Sequence, residues 1–177
     1  PMPYSGPHEL IVRNLRSGEK VIISDIMIGE VWLASGQSNM AMSINATEDE
    51  ELCRTSDMPM IRMITVPHVA RVGGLVDVQC EWQLTSSETI GEFSAVGFHF
   101  ARKLAGELGA TIGIIHSSWG GTIAESWSSR QALINNPDQN VLVQEYEQMV
   151  FRPEIWAQEN DCDAGDQQLL VRNVLKE

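Results

Sequence analysis

Basic residues are scarce in this chain: 12 Lys and Arg face 24 Asp and Glu, a formal net charge of −12. Phosphate recognition depends on clustered cations, so the composition argues against a nucleic-acid surface. The same shortage leaves no polybasic patch for anionic lipid. No apolar run reaches the ~18 residues of a membrane-spanning helix. Residues 1–7 hold neither the basic stretch nor the apolar stretch of a secretory leader. The only cysteines are Cys53, Cys80 and Cys162, odd in number and far apart. That spacing is neither a disulfide framework nor a zinc site, and it leaves open three thiols or one bridge and a free thiol. No His, Asp and Glu cluster has metal-ligand spacing, so neither a metal nor a cofactor is expected. Internal repeats and low-complexity tracts are also missing.

What is present suits one α/β domain with a real core. The chain has 177 residues, 43% of them hydrophobic and 20% charged, which is ordinary for a globular fold. Two apolar runs, Leu10-Ile11-Val12 and Lys20-Val21-Ile22-Ile23, flank the turn-rich segment 14–19. They predict a hairpin, which cannot bury itself alone. Further strands are expected over 28–34, 60–66 and 111–115. Between the last two lies a helix, with Ser94 as its cap and Gly109 as its stop. Gly97, Phe100, Ala101, Leu104 and Leu108 are assigned to its buried face. Helices are also expected over 129–135, 139–150 and 167–176, with a loop at 161–166. Strands alternating with helices imply a parallel sheet flanked by helices, preceded by a short β-rich lead over residues 1–27.

Gly36-Gln37-Ser38-Asn39-Met40 is the sharpest chemical signal. It follows an apolar run, Val31-Trp32-Leu33-Ala34, that reads as a buried strand. A serine just past a strand end, behind a glycine, can present a nucleophilic hydroxyl at the top of a sheet. The bland alternative is a helix N-cap serine. The block is not the G-x-S-x-G elbow of an α/β-hydrolase, because Met40 stands where the second glycine would be. A second glycine-rich bend, Gly120-Gly121, also follows a strand. Its N–H groups, with that of Ser38, are candidates for an oxyanion hole, and a plain tight turn is the alternative. Gln37 and Asn39 either touch substrate or stabilise the turn. Glu125 and Trp127 fit a sugar-binding rim, although a Trp is as often core. Of the four histidines, His116, at a strand end beside the glycine bend, is best placed to serve as base. His99, on the helix, reads as a packed residue.

Three blocks carry a family resemblance. Glu30 to Met40, Phe93 to Ala101, and Gly113 to Thr122 followed by Glu125-Ser126-Trp127 stand in the order and register of the sialate O-acetylesterase family. That family is a branch of the SGNH hydrolases. The resemblance runs from about Gly6 to Arg130. It implies an SGNH or flavodoxin-like three-layer fold, with residues 28–177 forming the N-terminal part of the hydrolase domain. It makes Ser38 the nucleophile of a carbohydrate O-acetylesterase acting on sialic acid or another acetylated glycan. It implies no cofactor, and a secreted, periplasmic or lysosomal setting. It also implies that the base and its acid come from an Asp-x-x-His-like segment, which these 177 residues do not contain. The chain is therefore expected to be a front portion of the enzyme domain, and the alternative to the esterase is a catalytically incomplete fragment, at most glycan-binding. A homo-oligomer or a C-terminal segment supplied in trans would then cover its apolar faces.

Overall fold

A computed structural model describes residues 4–49, 51, 55, 57–69 and 77–152. Cys53, Cys162, the 161–166 loop and the 167–176 helix expected from sequence lie outside those residues. The chain divides into two compact units, residues 1–67 with 78–121, and residues 68–77 with 122–177.

The first unit is built on a five-stranded sheet in the order β1-β2-β5-β3-β4. The strands are β1 (Ser5–Arg13), β2 (Lys20–Gly36), β3 (Asp57–Thr65), β4 (Gln83–Ser86) and β5 (Thr111–Ser118). Strands β2, β5 and β3 run parallel, as expected. The sheet as a whole is mixed, because β1 and β4 join its ends antiparallel. The hairpin lead and the first core strand are one continuous element. β2 runs 17 residues, first along β1 and then along β5.

That continuity depends on a kink at Asp25. Asp25 takes a positive φ of 61° where the β1–β2 register shifts, a conformation that Asp tolerates better than most residues. Its carboxylate accepts two hydrogen bonds from the Arg62 guanidinium on β3, at 2.6 and 2.8 Å. Arg62 reaches it across β5 where its register partner is Gly113, which has no side chain. These bonds hold the Asp25 carboxyl below its ordinary value of 3.8, against the opposing effect of desolvation and with the help of the Arg62 charge. An acid with a lowered native value stabilises the fold above its unfolded value and loses that contribution as pH falls through the native one. The stability gap between wild type and Asp25→Asn is therefore expected to be open at about pH 7 and to narrow as pH falls below 3.8. Urea melts across that range would check it.

One helix, α2 (Ala95–Leu108), packs on the core face of β5 and β3. Ser94 caps it, accepting the Gly97 N–H at 3.1 Å, and Gly109 ends it in the left-handed region. The core joins Ile61, Met63, Ile112 and Ile114 of the sheet to Ala95, Phe98 and Ala101 of the helix. Phe98 is fully buried, whereas Phe100 and Leu108, assigned to the buried face from sequence, are exposed. The inward face keeps Gly97, Ala101 and the partly buried Leu104 as assigned and adds Phe98, while Phe100 sets its ring edge against Trp32 at 5.2 Å. His99 is not packed away either: its Nε2 lies 3.0 Å from the Asp49 carboxylate. Within this unit the opposite face of the sheet carries no helix among the described residues.

The second unit contains α3 (Arg130–Asn135) and α4 (Asn140–Phe151). The Ser129 hydroxyl caps α3 by accepting the Ala132 N–H, and an Arg130–Glu147 ion pair links the two helices.

Candidate active site

Two neighbouring parallel strands end side by side. Gly36, the last residue of β2, is in register with Ser118, the last of β5. The Trp119 N–H then donates to the Gly36 carbonyl at 3.0 Å. Gly36 turns sharply with φ 140°, a conformation that favours glycine. The chain enters α1 (Ser38–Ala41), a single turn whose N-cap is Gln37. Ser38 is the first helical residue rather than the cap, so the capping alternative does not hold. A helix this short adds little field of its own. Any stabilisation of negative charge here has to come from individual N–H groups.

The Ser38 side chain is exposed. Among the described residues its hydroxyl has no hydrogen-bond partner. The Gly120 backbone faces it: a Cβ built on Gly120 would stand 3.6 Å from Ser38 Oγ. Gly121 follows with φ 80°. The glycine bend thus lies beside the serine, and the absence of a side chain at Gly120 leaves the space next to the hydroxyl open. The side chains of Gln37 and Asn39 flank Ser38, both exposed and, among the described residues, without a hydrogen bond.

His116 sits elsewhere. It lies on the core face of β5, between Ala34 and Thr65 in register. The residue is 7% exposed. Its Nε2 is 2.6 Å from Ser118 Oγ, and its Nδ1 is 3.5 Å from Thr65 Oγ1. No hydrogen bond joins His116 to Ser38. The sequence pattern brought His116 near the bend but missed Ser118 and Thr65, which hold it. Alternation along β5 was the available signal, since residues 116 and 118 share a face.

Ser94 fixes the far end of the serine turn. Its hydroxyl donates to the Met40 carbonyl at 2.7 Å, besides capping α2. The Ala95 N–H donates to the Met42 carbonyl at 2.9 Å. The buried Ser94 hydroxyl therefore ties the turn that carries Ser38 to the core helix. Ser94→Ala is expected to cost about 2 kcal/mol, from a lost cap and a buried carbonyl left unpaired. A urea melt measures it.

Glu125 and Trp127 belong to the second unit, on a short turn over Ala124–Trp127. The Trp127 indole N–H donates to the Thr122 hydroxyl at 2.9 Å. Its ring is exposed rather than core. Among the described residues no group of His, Cys, Asp and Glu could hold a metal ion.

A parallel strand that ends in a serine turn beside a glycine bend, in a sheet covered by a helix, defines an α/β fold of the SGNH type. Comparison with known proteins agrees. A carbohydrate acetylesterase from Xanthomonas citri superposes with a TM-score of 0.68 at 32% identity, covering 77% of this chain and 32% of that one. Human sialate O-acetylesterase is 37% identical over 149 residues, which are 75% of this chain and 28% of the human one. The mouse enzyme of the same name is 30% identical over 186 residues, covering 98% of this chain and 34% of its own. No protein-family profile matches. The chain is a relative of the sialate O-acetylesterases and spans about a third of their length.

Proposed function

We propose that this chain carries the nucleophile of a serine esterase that removes O-acetyl groups from sialic acid or another acetylated carbohydrate. The observation behind it is the exposed, unpartnered Ser38 hydroxyl against the bare Gly120 backbone. In this reading Ser38 Oγ attacks the acetyl carbonyl. The N–H groups of Ser38 and of Gly120 or Gly121 bind the developing oxyanion. The sugar hydroxyl leaves, the acetyl group stays on Ser38, and water then releases acetate. A histidine from outside these 177 residues takes and returns the proton, because His116 is already held by Ser118 and Thr65. Gln37 and Asn39, exposed beside Ser38, are placed to meet the sugar.

The test offers an O-acetylated sialic acid and p-nitrophenyl acetate to the chain alone and to the chain fused to the C-terminal remainder of the human relative. Turnover by the fusion that disappears in Ser38→Ala is the expected result. Turnover that survives Ser38→Ala would defeat the assignment. Turnover by the chain alone that is lost in both Ser38→Ala and His116→Ala would instead make His116 the base.

A further inference from the structure

The core face of β5 changes character along its length. Ile112 and Ile114 are fully buried, and His116 and Ser118 take the next two inward positions. β3 follows the same course: Ile61 and Met63 point inward, and Thr65 comes next at the strand end. An aliphatic residue would fill position 116 without the desolvation that a buried imidazole must recover through hydrogen bonds. The polar residues gather at the carboxyl ends of the parallel strands, the end from which Ser38 and Gly120 emerge.

Backbone support changes at the same place. β3 accompanies β5 as far as His116, whose register partner is Thr65. The Val66 N–H then donates to the His116 carbonyl at 2.9 Å. From Ser117 to Trp119 the chain runs along β2, in register with Ser35 and Gly36. The bond between His116 Nε2 and Ser118 Oγ, at 2.6 Å and buried, spans that step. It ties the end of the strand back to a residue that both neighbouring strands hold. Ser118 pairs with Gly36, and two residues further on Gly120 stands beside Ser38. A hydroxyl and an imidazole nitrogen can each donate or accept, so a neutral ring keeps the bond in either tautomer.

We propose that His116 is a positioning residue: its bond to Ser118 fixes the end of β5 and so sets the Gly120 bend beside Ser38. Oxyanion donors act only when they are aimed at the developing charge, and groups behind them supply that precision. A buried, fully engaged side-chain pair at the root of the bend is such a support. The consequence for catalysis rests on the esterase reading; the anchoring itself rests on the strand pairing and its hydrogen bonds.

Amide exchange on the chain itself is the first readout. The Trp119 amide, bonded to the Gly36 carbonyl, reports the anchor. In His116→Leu and in Ser118→Ala it is expected to exchange about tenfold or more faster, while the amides of residues 113–115 keep their protection. His116→Gln returns a donor and an acceptor in place of the ring nitrogen and should preserve the Trp119 protection. The second readout is kinetic, on the fusion with the human remainder. There His116→Leu is expected to lower kcat about tenfold or more with KM unchanged, because misplaced donors fail only in the transition state. A Gln side chain cannot serve as a base, so turnover retained by His116→Gln separates positioning from proton transfer. Trp119 protection that His116→Leu leaves unchanged overturns the proposal. So does an equal loss at residues 113–115, which would mark a general loss of stability. In a fusion whose turnover depends on Ser38, a kcat untouched by His116→Leu, or lost equally in His116→Gln, overturns it as well. Where His116→Leu does not fold, Ser118→Ala carries both readouts. A fusion whose turnover ignores Ser38→Ala defeats the esterase reading, and the exchange result then decides the anchor.

Discussion

Replacing Gly29 with alanine is expected to cost about 3 kcal/mol or more, the upper range for overpacking a core. Gly29 pairs with Thr111 at the point where β2 first meets β5. A Cβ there would fall 2.0 Å from the Thr111 carbonyl oxygen and 2.8 Å from its carbon. Both atoms are backbone, so no rotamer change relieves the clash and one strand must move. Gly106→Ala is the matched control, because nothing lies within 4 Å of that position. It sits inside α2, where alanine is favoured over glycine by up to about 1 kcal/mol. Urea melts of the two variants should therefore move in opposite directions. Equal and small shifts would mean that the strand contact is looser than the structure shows.

The second large effect concerns chemistry rather than stability. On the proposed esterase reading, Ser38→Ala in the fusion with the human remainder is expected to lower kcat by about four orders of magnitude, or ~5.5 kcal/mol of transition-state stabilisation. The same substitution should leave stability within about 0.5 kcal/mol, because the hydroxyl is exposed and unpartnered. On the same reading, binding of the acetylated sugar should survive, since Ala removes the proposed attacking atom and not the proposed oxyanion donors. Steady-state kinetics beside a thermal melt separates the two readouts. A variant that loses activity only in proportion to lost stability would assign Ser38 a structural role.

Much of this arrangement was legible from local pattern. Ser94 and Gly109 mark the ends of α2 because caps and stops are made within a few residues of themselves. The strands around Val31, Met63 and Ile114 show as apolar runs because both faces of a parallel sheet disfavour charge. β4 did not show, since four residues with polar members carry no period. Phe98 was passed over for Phe100 because the inward arc of a helix depends on the sheet beneath it. The Asp25–Arg62 bond and the kink it accompanies join residues far apart in the chain, so no window of sequence contains them.

The sequence by itself determined that a serine follows a glycine at the end of an apolar strand, and that a paired glycine follows another. Residue identity and spacing along one strand suffice for that. Only the tertiary structure decided that the two strand ends lie side by side, with Gly120 against Ser38 and His116 turned toward Ser118. Strand order and register are set by pairing between distant segments, and that pairing is what converts two separate turns into one site.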